Sequence, residues 1–159
     1  MKKSTLIVAL FCVLTVGCRA KQPAVVHVYR NRTSPVARAL DQRFLEFNGD
    51  KHRLSSGKRI VIATYESQDY KQMLRDRVGN ELRPDLIVLD SPGDVAINPF
   101  IERESRRAVD ICGAARACPA FVPAFIPSFV TDAEELEASQ VVLKDLLNAP
   151  PADRLGITR

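Results

Sequence analysis

Three short apolar runs constrain the fold of this chain more than any other feature. They lie at Val25–Tyr29, Ile60–Ala63 and Leu86–Leu89, and all are rich in β-branched residues or leucine. Continuous apolar runs of this length predict strands buried on both faces of a sheet. Residues 36–47 and about 69–81, which lie between the runs, show the spacing of amphipathic helices. The alternation predicts an α/β fold with three layers, in which flanking helices cover a mostly parallel sheet.

Local sequence signals predict where the helices begin and end. Ser34 is a favourable N-cap residue before Pro35, and Pro84 is expected to stop the second helix. Thr131 followed by Glu134 is typical of a capping box and predicts the start of a last helix.

A proline–phenylalanine repeat precedes that last helix. It places proline at every fourth residue and carries three of the seven phenylalanines, within 119–130. Prolines at this spacing are incompatible with an α-helix and with a central antiparallel strand. We therefore predict an extended or edge segment that packs over the apolar surface of its own domain, the alternative being a strip that faces a partner.

The N-terminus has the pattern of an exported protein. Lys2 and Lys3 precede the uncharged stretch Leu6–Val16, which is too short to span a bilayer, for which about 20 residues are needed. The segment Leu14–Cys18 resembles the lipobox of bacterial lipoproteins, in which small residues precede a lipid-bearing cysteine. This resemblance implies cleavage after residue 17 and attachment of acyl chains, palmitate among them, to Cys18. The alternative is an ordinary cleaved signal peptide that contains a cysteine.

The predicted processing defines the organisation of the remaining chain. Residues 1–17 are the signal peptide, 18–24 form a polar tether, and 25–159 form one domain, which is long enough to bury a core. Loss of the two lysines lowers the net charge from +4 to +2. Because basic and acidic residues are interleaved along the chain, nucleic acid is not an expected partner.

Two cysteines remain after lipidation. Cys112 and Cys118 are an even pair in a compartment expected to be oxidising, so we predict a disulfide between them. A metal site is not expected, since their spacing is not that of a zinc knuckle and both histidines lie far away in sequence.

Several segments occur in an order that is typical of one known family. From Val28 to Asp94 the chain resembles the N-terminal part of bacterial extracellular solute-binding proteins, the type II periplasmic binding proteins of ABC importers. Its end resembles the closing helix and short strand of that family. The segments that carry the resemblance are Val28–Arg30, Thr33–Pro35, Asp41 with Phe44–Phe47, Tyr70–Leu74, Arg83–Ser91, Val142–Leu147, Pro150 and Leu155–Ile157.

The resemblance implies one lobe alone. Family members have two lobes, and the second is inserted between the N-terminal part of the first lobe and its returning C-terminal part. This chain passes from the first part to the closing helix with almost nothing between them. Hinged closure of two lobes around a solute is therefore impossible within one copy.

The resemblance also implies a ligand site at the carboxyl ends of the strands. The free N–H groups at the first helix N-terminus and the charge of Arg32 suit an anion. Each position has a simpler alternative: a helix cap for Ser34, a solvated loop for Arg30 and Arg32, and turn chemistry for Ser67 and Asp90. The candidate ligand-binding residues are Arg32, Thr33, Ser34, Ser67, Asp90 and Ser91.

Two functions follow as hypotheses. The first is a lipid-anchored protein of the cell envelope that binds a small solute or assists transport, with an ABC permease as partner. The second is an envelope protein on the same fold that has lost solute binding and docks on another protein; a degenerate remnant without a role is a third reading. No cofactor and no catalytic residue is expected, since His27 reads as a core or edge residue and His52 as a loop residue.

Overall fold

A computed structural model describes residues 21–31, 35–65, 67, 69–89, 92–111 and 122–148 of the chain. The predicted signal peptide, the predicted lipidation site Cys18 and the predicted disulfide pair Cys112 and Cys118 lie outside these residues. So do five of the six candidate ligand-binding residues, namely Arg32, Thr33, Ser34, Asp90 and Ser91.

The described elements are five strands, four α-helices and two 3-10 turns. The strands are β1 Ala24–Tyr29, β2 Ile60–Tyr65, β3 Leu86–Val88, β4 Val109–Asp110 and β5 Pro123–Phe125. The helices are α1 Pro35–Gly49, α2 Tyr70–Asp76, α3 Pro99–Glu104 and α4 Ala133–Asn148, and the 3-10 turns are Pro92–Ala96 and Ser105–Arg107.

The strands form one mixed sheet in the order β2-β1-β3-β5-β4. Strand β1 pairs in parallel with β2 and β3, whereas β5 pairs antiparallel with β3 and β4. Among the described strands, β5 alone therefore runs against the others. The predicted α/β class is confirmed, and the sheet is mixed because a late segment inserts between β3 and β4.

Alternation along the strands divides the core between the two faces of the sheet. Val26 and Val28 of β1 pack in one cluster with apolar side chains of α1 and α4. Tyr29 belongs to a second cluster, built from α2, α3 and the opposite face of the sheet. Since successive strand residues point to opposite faces, the helices lie in two outer layers around the sheet.

The proline–phenylalanine repeat contradicts its sequence prediction. Its described part includes β5, an antiparallel strand between β3 and β4 rather than an edge segment. Proline is tolerated because Pro123 is the first residue of a three-residue strand, where its carbonyl accepts from the Leu89 amide at 2.9 Å. Ala124 and Phe125 then pair with Val88 and Ile87 of β3, and the strand ends at Phe125, before Pro127.

Two helix ends also differ from their predictions. Helix α2 ends at Asp76, well before Pro84, and the chain turns at Gly79, whose φ of +87° suits glycine. Helix α4 is capped by Asp132, whose Oδ1 accepts from the amides of Glu134 and Glu135 at 2.9 and 3.0 Å. The predicted capping box at Thr131 is thus shifted by one residue.

At two places where a strand has no neighbouring strand on one side, a side chain forms hydrogen bonds with the strand backbone. Asp85 precedes β3, and its Oδ2 accepts from the His27 amide of β1 at 2.7 Å. On edge strand β2, the Asn48 side chain accepts from the Ile62 amide at 2.7 Å and donates to its carbonyl at 3.0 Å. The second device covers part of an exposed strand edge, a usual protection against edge-to-edge pairing.

No helix in the described part of the chain combines the length and the apolar character needed to cross a bilayer.

Candidate functional site

The strand order creates a switch point at the carboxyl edge of the sheet. From β1 the chain crosses through α1 to β2 on one side, and from β2 it crosses through α2 to β3 on the other side of β1. Helices α1 and α2 lie on opposite faces, as their core clusters show. In open α/β sheets, the crevice outside the carboxyl ends at such a point is the usual ligand position.

A buried arginine lies at this edge, directly after β1. Arg30 is only 4% exposed, and its Nη2 forms an ion pair with Oδ1 of Asp41 on α1. A buried guanidinium requires such a partner, because removing its charge from water is otherwise too costly. The solvated-loop reading of Arg30 is therefore wrong. Together Arg30 and Asp41 fix the start of the β1–α1 connection.

One groove opens between α1 and edge strand β2. It has a volume of about 380 Å³ and is polar at Arg30, Asp41 and Thr64 but apolar along Phe44 and Leu45. Leu45 is 68% exposed and is one of three large apolar side chains that are exposed among the described residues. The groove therefore offers a charged end beside an apolar wall.

A second groove of about 340 Å³ runs along α2, and Ser67 lines it. The Ser67 hydroxyl accepts from the Asp69 amide at 3.2 Å, and Asp69 Oδ1 accepts from the Gln72 amide at 3.1 Å as the N-cap of α2. Ser67 thus performs the turn chemistry that was its alternative reading and also faces a concavity. Its role as a ligand residue stays a prediction.

The two histidines lie in different places and contact different partners. His27 Nδ1 lies 3.2 Å from Asp85 Oδ2, and its ring stacks on Tyr65 with centroids 5.5 Å apart. The same Asp85 oxygen holds the His27 amide, so this pair ties β1 to the entry of β3. His52 stacks on Phe47 with centroids 4.1 Å apart.

Glu104 is a buried carboxylate at the opposite, amino edge of the sheet. Burial by itself raises the pKa of Glu104, but hydrogen bonds from the Ser128 amide and hydroxyl outweigh it, aided by Arg103 and Arg107. The pKa is thus held below its ordinary value of 4.5. Glu104 is charged at neutral pH and fastens the segment between β5 and α4.

The described residues contain no group of three or more potential metal ligands among histidine, cysteine, aspartate and glutamate. Comparison with protein-family models, with curated proteins and with solved structures gave no match to this chain.

Sequence reasoning missed the Arg30–Asp41 pair and the groove beside it. Two signals were present: an arginine directly after a buried β-branched run, and an aspartate two turns into the following helix. Their contact depends on how α1 packs against β2, which no local pattern specifies.

Proposed function

We propose that this chain is a lipid-anchored protein of the cell envelope whose single lobe binds a small anionic solute at the carboxyl edge of its sheet. The observation that carries the proposal is the switch point between β1 and β3, where connections leave to opposite faces of the sheet. Ligand sites of open α/β sheets form at this position.

The return of the C-terminal part supports the resemblance to one lobe of a solute-binding protein. Strand β5 inserts between β3 and β4, and α4 packs against β1 through Ala138 and Val142. A late segment therefore completes a sheet begun by the N-terminal part. In the family, the first lobe is likewise built from an N-terminal part and a returning C-terminal part.

Charge at the start of α1 supports an anion. Helix α1 has 15 residues and no acidic residue in its first turn, so its positive dipole end is not neutralised locally. Arg32 precedes it in sequence and would add a bidentate grip on a carboxylate or phosphate. The buried Arg30–Asp41 ion pair joins the end of β1 to α1 on either side of this connection.

Thermal unfolding with a panel of small carboxylates, phosphate and amino acids tests solute binding. A ligand at 100 times its Kd stabilises the folded chain by about 2.7 kcal/mol, which raises Tm by several degrees. Arg32→Gln should remove most of that shift, whereas Arg75→Gln, an exposed arginine of α2, should leave it intact. A folded chain that no member of the panel stabilises would count against the proposal.

The anchor is tested separately by mass spectrometry of the mature N-terminus. We expect a diacylglycerol-modified and N-acylated residue 18, and loss of the modification and of membrane retention in Cys18→Ser. An unmodified N-terminus after cleavage elsewhere would contradict the lipoprotein proposal without bearing on the solute site.

A second candidate function, docking on another envelope protein, is favoured by an incompletely covered sheet face. Val25 of β1 is 39% exposed, and its neighbours Val61 and Ala63 on β2 are only half-buried. Helix α2 has only seven residues, and Val25, Val61 and Ala63 are not among the apolar residues of its core cluster. A second copy, an ABC permease or another envelope protein would bury it; light scattering that finds only monomers, with no crosslinked partner in cells, would count against this role.

A further inference from the structure

Two arginines and two phenylalanines form a row on the surface at the amino edge of the sheet. The rings of Phe100 and Phe129 stack with centroids 5.5 Å apart and planes 14° apart. Arg83 Cζ lies 5.4 Å from the Phe129 centroid, and Arg103 Cζ lies 5.5 Å from the Phe100 centroid. We call this the Arg–Phe row: Arg83, Phe129, Phe100 and Arg103.

The row is built into the fold. Phe100 packs on Gly79, where an added Cβ would lie 2.9 Å from the ring. On the other side, Glu104 accepts from the Ser128 amide at 2.8 Å and so holds the residue before Phe129. Both guanidinium groups remain exposed while both rings are half-buried. Arg103 Nε also lies 3.3 Å from Glu104 Oε1, so this carboxylate holds the Arg103 cation in place and offsets part of its charge.

Topology places the row at the end of the sheet where the tether enters. Arg83 precedes β3, and β5 runs against β3, so Phe129 also emerges at the amino ends of the parallel strands. Strand β1 begins at the same edge, at Ala24. Because β5 is two strands from β1, the lateral separation is only about 10 Å.

The tether keeps this edge close to the lipid. Ala24 is the sixth residue after Cys18, and an extended chain advances at most about 3.6 Å per residue, so the amino edge lies within about 20 Å of the anchored cysteine. Arg106 in the adjoining 3-10 turn adds a further exposed cation to this edge. Exposed arginines around half-buried aromatic rings are the composition of surfaces that settle at an anionic membrane interface.

We propose that the Arg–Phe row docks on the anionic headgroups of the membrane that carries the anchor, so that the carboxyl edge and its solute site face away from the bilayer. The proposal rests on the lipid anchor of the proposed function. The anchor supplies retention, and the row supplies orientation, since attachment through a single cysteine does not fix the angle between the domain and the membrane.

The chain contains no tryptophan, so a single introduced indole reports on membrane contact. Phe129→Trp places the reporter in the row, and Leu147→Trp places a matched one at the exposed far end of α4. The lipidated full chain is reconstituted into phosphatidylcholine vesicles with brominated acyl chains, with or without one quarter phosphatidylglycerol. We expect strong quenching of the F129W indole only with phosphatidylglycerol, and weak quenching of the L147W indole in both.

Removing the two charges should undo the docking. An exposed basic residue gains roughly fivefold in affinity at an anionic surface, so Arg83→Gln with Arg103→Gln should shift the docked equilibrium by about 30-fold. Lys71→Gln with Lys144→Gln, which removes two exposed charges elsewhere, should not change it. Added salt should weaken quenching in the parent F129W chain.

Each outcome bears on one proposal. A lipidated chain whose F129W indole is not quenched, or is quenched equally in both lipids, overturns the docking proposal, and an acidic protein partner would give that result. Mass spectrometry on the same sample shows separately whether the anchor exists. If mass spectrometry finds no lipid, the anchor is refuted. Quenching of that chain that still depends on phosphatidylglycerol would support the docking surface on its own.

Discussion

Replacing Glu104 with glutamine tests how the amino edge of the sheet is held together. Glu104 is 3% exposed, and its Oε2 accepts from the Ser128 amide and from Arg107 Nη2, both at 2.8 Å. Its Oε1 accepts from the Ser128 hydroxyl at 3.0 Å. Glutamine keeps one acceptor but loses the charge, and its amide group must face at least one of these donors. Hydrogen bonds to charged groups contribute about 1.5–3 kcal/mol each, so we expect a net loss of about 2 kcal/mol at pH 7.

The pH dependence has a defined sign. The pKa of Glu104 is lower in the folded chain than its ordinary value of 4.5, so the stabilisation is fully present above that value. It is lost as pH falls through the lowered pKa of the folded state, because the protonated carboxyl resembles the glutamine. The stability difference between the parent chain and Glu104→Gln should therefore shrink in acid.

Urea unfolding followed by circular dichroism at pH 7 and at pH 3 measures both effects. Glu102→Gln, on the exposed side of the same helix, is the matched control and should change stability by less than about 0.5 kcal/mol. An equally small effect of Glu104→Gln at pH 7, or a difference that persists unchanged at pH 3, would refute this reasoning.

Four further substitutions test three local features by the same unfolding measurement. Asn48→Ala removes two hydrogen bonds to the backbone of edge strand β2, so it should lower the free energy of unfolding by about 1–2 kcal/mol. It should also promote aggregation through the uncovered edge, which light scattering would detect. Unchanged stability and solubility would show that water replaces the amide. Asp132→Ala removes the cap of α4 and should lower the free energy of unfolding by about 1 kcal/mol, while Thr131→Ala should change it little. A larger loss in Thr131→Ala than in Asp132→Ala would instead support the capping box at Thr131 that the sequence predicts. Gly79→Ala should cost more than about 1 kcal/mol, because its φ is +87° and the new Cβ would lie 2.9 Å from Phe100; a neutral result would mean that the ring yields easily.

The sequence predicted the parts of the fold that depend on local patterns. The apolar runs at β1, β2 and β3 appear as strands, and the amphipathic segment before residue 49 is α1. These elements carry their own periodicity, and each buries its apolar residues whichever neighbours it meets.

The remaining features depend on tertiary neighbours. Strand β5 contains a proline, which argued against a central strand, yet only three residues had to pair between β3 and β4. The cap of α4 fell on Asp132 because two adjacent residues could both serve, and only the backbone geometry distinguishes them. Arg30 can be buried because Asp41 forms an ion pair with it across the β1–α1 connection, and this contact depends on tertiary packing.

Solute binding at the carboxyl edge is the central claim, and an NMR titration of the amide signals tests it most directly. With carboxylates, phosphate and amino acids added in turn, we predict saturable shifts for one class of ligand at residues 30–31, 64–69 and 89–93, with residues 53–59 and 126–130 at the amino edge unchanged. Absence of saturable shifts with every ligand, or shifts confined to the amino edge, would contradict the claim.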